Sequence, residues 1–171
     1  MASGSFFFST LSLAFLCSFL TFDNVKADLI GDLCSKTSNL SSCDEVLRSD
    51  PRSVKADLRG LGQIAIDKAI TSAKTSLNLV KALAKGRIQS KCIEYYFIAF
   101  NSLNKCQSLI LGKDKLNLYA EAANADIDIF TRDALFYGKE PIFLKQASQK
   151  TRDIINICRN FVLEIGCDQL K

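Results

Sequence analysis

Beyond residue 53, apolar residues return every three or four positions along most of the chain, the period of an amphipathic helix. Val54, Leu58, Leu61, Ala65, Ala69, Ala73, Leu77, Val80 and Ala84 form one such stripe. It predicts a first long helix that starts after Pro51 with Ser53 as N-cap and stops at Gly86. Gly60 and Gly62 each cost a helix about 1 kcal/mol relative to alanine, so a neighbouring element is expected to pass close to them. Ile88, Cys92, Tyr95, Ala99, Leu103, Cys106 and Ile110 predict a second helix from Ile88 to Leu111, closed by Gly112. Asp114 is placed to cap a third, with Leu118, Ala122, Ala125 and Ile129 as its stripe and Gly138 as its end. Pro141 suits the first turn of a fourth. There Leu144, Ala147, Thr151, Ile154, Cys158, Phe161 and Ile165 share a face up to Gly166. With no alternating strand pattern between them, these helices predict an all-α, up-down-up-down four-helix bundle.

The first residues follow a different rule. Phe6 to Phe22, "FFFSTLSLAFLCSFLTF", is an apolar run followed by Val25-Lys26-Ala27. Small or aliphatic residues at −3 and −1 mark a secretory signal cleaved after Ala27, in preference to a retained membrane anchor. The expected domain is therefore 28–171, a hairpin over 28–50 and the bundle over 51–171, with no further stretch apolar enough to cross a membrane.

Secretion changes the meaning of the cysteines. Removal of Cys17 leaves Cys34, Cys43, Cys92, Cys106, Cys158 and Cys167, an even set that points to disulfides, with connectivity left open by spacing alone. A bond across the short Cys34-to-Cys43 loop would contribute about 2–3 kcal/mol by restricting the unfolded chain. On that loop Asn39-Leu40-Ser41 is an N-glycosylation sequon.

Composition narrows the chemistry. The 171 residues, 48% hydrophobic and 23% charged, fit one globular domain. Histidine is absent, which excludes Ser-His-Asp and Cys-His catalysis and removes the commonest metal ligand. No CxxC pair exists to seed a zinc site. Among carboxylate pairs, Asp126 and Asp128 point about 200° apart around a helix and do not converge, while Asp50, Asp57 and Asp67 read as turn and solvent-face residues. No catalytic residue, metal, cofactor or nucleic-acid partner is expected. The net charge of +4 would modestly favour acidic polysaccharide through long-range attraction, the competing and preferred reading being a merely solvated basic surface.

Several stretches together carry a resemblance. They are the Cys-x8-Cys hairpin, "DLIGDLC" (Asp28 to Cys34), "SDPRSVKADLRGLGQIAIDKA" (Ser49 to Ala69), Cys92 with Tyr96, and "AEAANADIDIF" (Ala120 to Phe130). Over nearly all of 28–171 the chain resembles the plant invertase and pectin methylesterase inhibitor family. The resemblance implies a helical hairpin pinned by Cys34–Cys43 and leaning on a four-helix bundle. It also implies a mechanism without chemistry, in which a monomer covers the cleft of a secreted pectin methylesterase or a cell-wall or vacuolar invertase, in the apoplast or the vacuole. Helices two and three are implied as the contact surface, so their outward residues are the candidates: Glu94, Asn101, Lys105, Lys115, Glu121, Asn124 and Asp128. Lys145 and Lys150 on helix four are expected to be neutral.

The chain departs from the family pattern twice. The cysteine that should lie in helix three, roughly forty residues beyond Cys92, is missing from "IDIFTRDAL" (Ile127 to Leu135). Cys92 and Cys106 cannot pair along one helix, being about 21 Å apart. Cys106 and Cys158 lie on apolar stripes at similar heights of parallel helices, so a Cys106–Cys158 bond is the expected replacement, with two buried free thiols as the alternative. In addition, "AKGRIQSKC" (Ala84 to Cys92) lacks the Pro-Lys-Phe segment of many invertase inhibitors, which weakens the invertase assignment. The competing function is a non-inhibitory secreted bundle that binds an apolar ligand or acidic cell-wall polysaccharide.

Overall fold

The computed structural model describes residues 29–83, 85–112, 114–136 and 138–167, the side chains of 165–167 excepted. The signal segment 1–27, Ala84 and the side chains of Ile165 and Cys167 thus lie outside the described residues. A short helix α1 (29–35) and α2 (Leu40–Arg48) form the hairpin, and a 3₁₀ turn (Pro51–Lys55) follows. The bundle is α3 (Leu58–Lys81), α4 (Arg87–Leu109), α5 (Lys115–Ala134) and α6 (Ile142–Cys167). No strand occurs among the described residues. Each bundle helix packs along its neighbours in the ring α3–α4–α5–α6 and back to α3, which leaves α3/α5 and α4/α6 on the diagonals. The hairpin rests on α3 and α6.

A disulfide joins Cys34 to Cys43, with Cα atoms 5.4 Å apart, and closes the hairpin as the resemblance implied. Asn39 N-caps α2, accepting from the Ser42 amide at 3.1 Å, and its Nδ2 donates to Asp153 of α6 at 3.0 Å. Ile30, Leu33, Val46 and Leu47 are buried against the bundle. A small covalently closed hairpin thereby adds apolar area to the same core.

The entrance to the first long helix differs from the sequence expectation. Ser53 is not an N-cap: its buried hydroxyl donates to the Leu47 carbonyl, which ties the 3₁₀ turn back to α2. Asp50 caps that turn through the Arg52 amide, and Ala56 is extended, so the chain breaks before α3 begins. Asp57 is the real N-cap, its Oδ1 accepting from the Gly60 amide at 2.8 Å. Val54 accordingly stands outside the core at 61% exposure. Asp50 is not a solvent-face residue either. It is buried and receives Arg52 Nε at 2.9 Å and Nη2 at 3.0 Å, while Arg52 Nη1 reaches Asp67 on α3 at 2.7 Å. One guanidinium thus sets the hairpin's exit against the bundle.

From α3 onward the stripes hold. Leu61, Ala65, Ala69, Ala73 and Val80 of α3 are buried, as are Cys92, Ala99, Leu103, Cys106 and Ile110 of α4. So are Leu118, Ala122, Ala125 and Ile129 of α5 and Leu144, Thr151, Ile154, Cys158 and Phe161 of α6. Asp114 caps α5 by accepting from the Asn117 amide at 3.1 Å. A Cβ on Gly62 would overlap the Phe161 ring, so the close approach expected at this glycine is that of α6. The ends shift. Helix α3 stops at Lys81, and Gly86 precedes α4 as its N-cap residue. Gln89 Nε2 donates to the Leu83 and Lys81 carbonyls at 2.9 and 3.1 Å, which satisfies acceptors that the end of α3 leaves open. Ile88 is exposed, and Tyr96 rather than Tyr95 is fully buried in α4. Helix α5 stops at Ala134, short of Gly138, whose φ of 76° turns the connection. Helix α6 continues through Gly166.

The Cys106–Cys158 bond expected from the stripes is absent, and Cys92, Cys106 and Cys158 are all buried free thiols. Helices α4 and α6 lie across the bundle diagonal, and each thiol has its own acceptor. Cys106 Sγ lies 3.8 Å from the Leu118 carbonyl and Cys158 Sγ 3.4 Å from that of Ile154. The stretch that lacks the helix-three cysteine carries Arg132 instead, 0% exposed. Its guanidinium pairs with Glu140 and Asp133, donates to Tyr96 Oη at 3.0 Å, and lies 5.1 Å from the Tyr96 ring centre. Cys92 is buried beside this cluster; burial pushes its thiol up to about 11, with Arg132 opposing. An ionic cluster therefore joins α4, α5 and the α5–α6 connection at that end.

Candidate functional site

Outward positions of α4 and of α5 line up along their helices. On α4, Glu94, Ile98, Asn101 and Lys105 recur at helical spacing along the flank next to α5. On α5, Asn117, Glu121, Asn124 and Asp128 do the same along the flank next to α4. The two flanks meet where Lys105 Nζ donates to Glu121 Oε1 at 2.9 Å, and together they make one continuous face carried by two rigid helices. Of the residues expected from sequence, Glu94, Asn101, Lys105, Glu121, Asn124 and Asp128 are brought together here. Lys115 is not. It lies on the flank of α5 that carries Tyr119 and Asp126, which engage Arg159 and Arg152 of α6.

The electrostatics of the face are mixed. The hydrogen bond from Lys105 holds the Glu121 carboxyl below the usual carboxylate range, while burial alone pushes that of Asp128 up. Glu94 pairs within its helix with Lys91 at 2.7 Å. Two apolar side chains interrupt the polar ones, Ile98 at 41% and Ile127 at 59% exposure. These were missed from the sequence. Their signal was available, since each is a large apolar residue out of phase with its helix's buried stripe. Exposed apolar groups inside a polar, hydrogen-bonding surround are the composition of a protein-docking surface.

Nothing on the face assembles a reaction. Asp126 is committed to Arg152 Nε at 2.9 Å, on the far flank of α5 from Asp128. Among the described residues no group of three or more His, Cys, Asp or Glu side chains is placed to hold a metal. No helix of the described residues is long and apolar enough to cross a membrane. The control positions Lys145 and Lys150 are exposed on α6, away from the face.

Comparison with known proteins identifies the family. A sequence profile described as plant invertase/pectin methylesterase inhibitor matches residues 28–135. A pectinesterase inhibitor of Actinidia deliciosa is 38% identical over 78% of this chain and 78% of its own. A cell wall/vacuolar inhibitor of fructosidase from Arabidopsis thaliana is 32% identical over 60% of this chain and 62% of its own. In fold, the chain matches the crystal structure of a mutant form of a pectin methylesterase inhibitor from Arabidopsis. The TM-score is 0.67 at 16% identity, covering 76% of this chain and 92% of the other. By profile, sequence and fold together, the chain belongs to the plant invertase/pectin methylesterase inhibitor family, whose members inhibit enzymes and are not enzymes themselves.

Proposed function

We propose that the protein is a secreted inhibitor of a plant pectin methylesterase and that the α4–α5 face covers the enzyme's substrate cleft. The carrying observation is the 38% identity to a pectinesterase inhibitor over most of both chains. The continuous face gives that reading a physical means. A standard inhibitor interface buries about 800 Å² per partner, an area that two adjacent helices of this length can supply. Invertase is the second reading, favoured by likeness to the fructosidase inhibitor and disfavoured by the missing Pro-Lys-Phe segment between α3 and α4.

Residues 1–27 act as a signal removed on export, and 28–171 fold as one monomeric domain, hairpin and bundle together. The profile match from residue 28 supports that boundary. The protein then resides in the apoplast or cell wall, or in the vacuole. Asn39, exposed at the hairpin turn, accepts a glycan there. Purified protein titrated against pectin methylesterases and against cell-wall and vacuolar invertases tests the reading. Stoichiometric loss of methylesterase activity supports it. Loss of invertase activity alone replaces it with the second reading. Inhibition of neither, with retention on cell-wall polysaccharide, replaces it with the non-inhibitory bundle.

A further inference from the structure

On the other flank of α5 a second feature goes beyond inhibition. A pocket of about 430 Å³ opens between the hairpin turn, Tyr119 of α5 and the Asn156–Leu163 stretch of α6. That volume lies within the range of small-ligand sites, about 300–1,000 Å³. Among the described residues, the charged side chains lining it are two cations, Lys36 and Arg159. Glu164 pairs with Lys36, and Asp126 is shared between Arg159 at 3.5 Å and Arg152 at 2.9 Å. Arg159 and Arg152 thus divide one carboxylate, Asp126, between two guanidinium groups.

The arginine is held by weak contacts and is not satisfied. Arg159 Nη1 meets Asp126 and Asn156 only at 3.5 and 3.4 Å, Nη2 donates to Tyr119 Oη at 3.1 Å, and the buried Nε–H has no acceptor. The Nη groups, held only by these contacts, belong to a guanidinium whose planar fork fits a carboxylate. Around it stand the hydroxyl of Ser38, the amides of Asn156 and Asn160 and the apolar side chain of Leu163. Hydroxyls and amides suit a polyol, and an apolar edge suits a sugar ring. We propose that this pocket binds a carboxylated sugar, a hexuronate unit, with Arg159 on its carboxylate and Asn160, Asn156 and Ser38 on its hydroxyls. Inhibition and this site are separable, because Glu121, Asn124 and Asp128 lie on the opposite flank of α5.

The test is a calorimetric titration of the mature chain with D-galacturonate, trigalacturonate, D-galactose and inorganic phosphate. The site predicts saturable binding of galacturonate and trigalacturonate that weakens as salt rises, and no binding of galactose. Arg159→Gln should weaken it by tenfold or more. Lys36→Ala, at an exposed position, should weaken it several-fold, with circular dichroism confirming the fold of both. A trimer that binds much more tightly than the monomer assigns the ligand to a polymer; equal affinity assigns it to a free uronate. The proposal is overturned if galactose binds as well as galacturonate, if phosphate displaces the sugar acid at equal concentration, or if folded Lys36→Ala and Arg159→Gln both bind like the parent.

Discussion

Replacing Glu140 with alanine would leave a fully buried guanidinium short of its principal counter-ion. Arg132 is 0% exposed and the Glu140 side chain 7%, so water cannot stand in for the missing carboxylate. Asp133 and Tyr96 Oη remain, but Asp133 is itself partly exposed at 24%. Removing one partner of a buried pair costs about 3–5 kcal/mol because the survivor's charge is uncompensated, and the remaining contacts put this case near about 3 kcal/mol. For a domain of this size that is a fall of roughly 6–12 °C in Tm. Glu140→Gln, which keeps an acceptor oxygen, should cost less. Arg132→Met with Glu140→Gln removes both charges and should lie within about 1 kcal/mol of the parent. Urea melts followed by far-UV circular dichroism measure these three and Arg132→Met alone. A Glu140→Ala cost below about 1 kcal/mol, or a double variant as unstable as the two single changes added together, would refute the claim that this cluster holds the end of the bundle.

Other consequences follow from the same packing. Gly62→Ala should destabilise by about 1–3 kcal/mol, because the new methyl must displace the Phe161 ring from a filled core; a Tm equal to the parent's would contradict the close α3–α6 approach. Cys92, Cys106 and Cys158 should resist a thiol reagent at neutral pH and react only in denaturant, since burial pushes Cys106 up to about 12 and Cys158 higher still. A non-reduced peptide map that joins Cys106 to Cys158 would overturn the free-thiol assignment. The hydrogen bonds from Arg52 hold the Asp50 carboxyl well below its ordinary 3.8. A depressed carboxylate contributes stability that is fully present above that ordinary value and lost as pH falls below it. Asp50→Asn should therefore be less stable at neutral pH and show a flatter acid limb in its stability–pH curve, whereas a limb parallel to the parent's would exclude this pair as its source.

What the sequence disclosed depended on how local the cause was. Helix α5 was legible almost whole because its cap, Asp114, and its stripe act within a few turns of one another. The start of α3 was not, since the break at Ala56–Asp57 is fixed by contacts to distant residues: Ser53 to Leu47, and Arg52 to Asp67. Arg132 falls three residues after Ile129, on the buried stripe, yet a charged residue reads as a solvent position until Glu140 and Tyr96 are seen to enclose it. The two thiols illustrate a similar limit. A stripe gives height along a helix but not whether two helices are neighbours or diagonal partners. On the α4–α5 face, spacing placed six of the seven candidate residues together. Lys115 falls on the flank of Tyr119 and Asp126, because spacing along one helix does not say which neighbour each flank meets.

The central claim is that the α4–α5 face closes over the target enzyme. Its most direct test is the dissociation constant of a pectin methylesterase for three folded proteins. These are the parent, the triple variant Glu121→Lys, Asn124→Lys, Asp128→Lys, and the α6 control Lys145→Glu, Lys150→Glu. Interfaces concentrate their energy in a few central residues, so the triple variant should bind at least about a hundredfold more weakly, while the control stays within about threefold of the parent. Unchanged binding by the triple variant together with loss in the control would place the docking surface on α6 and contradict the account.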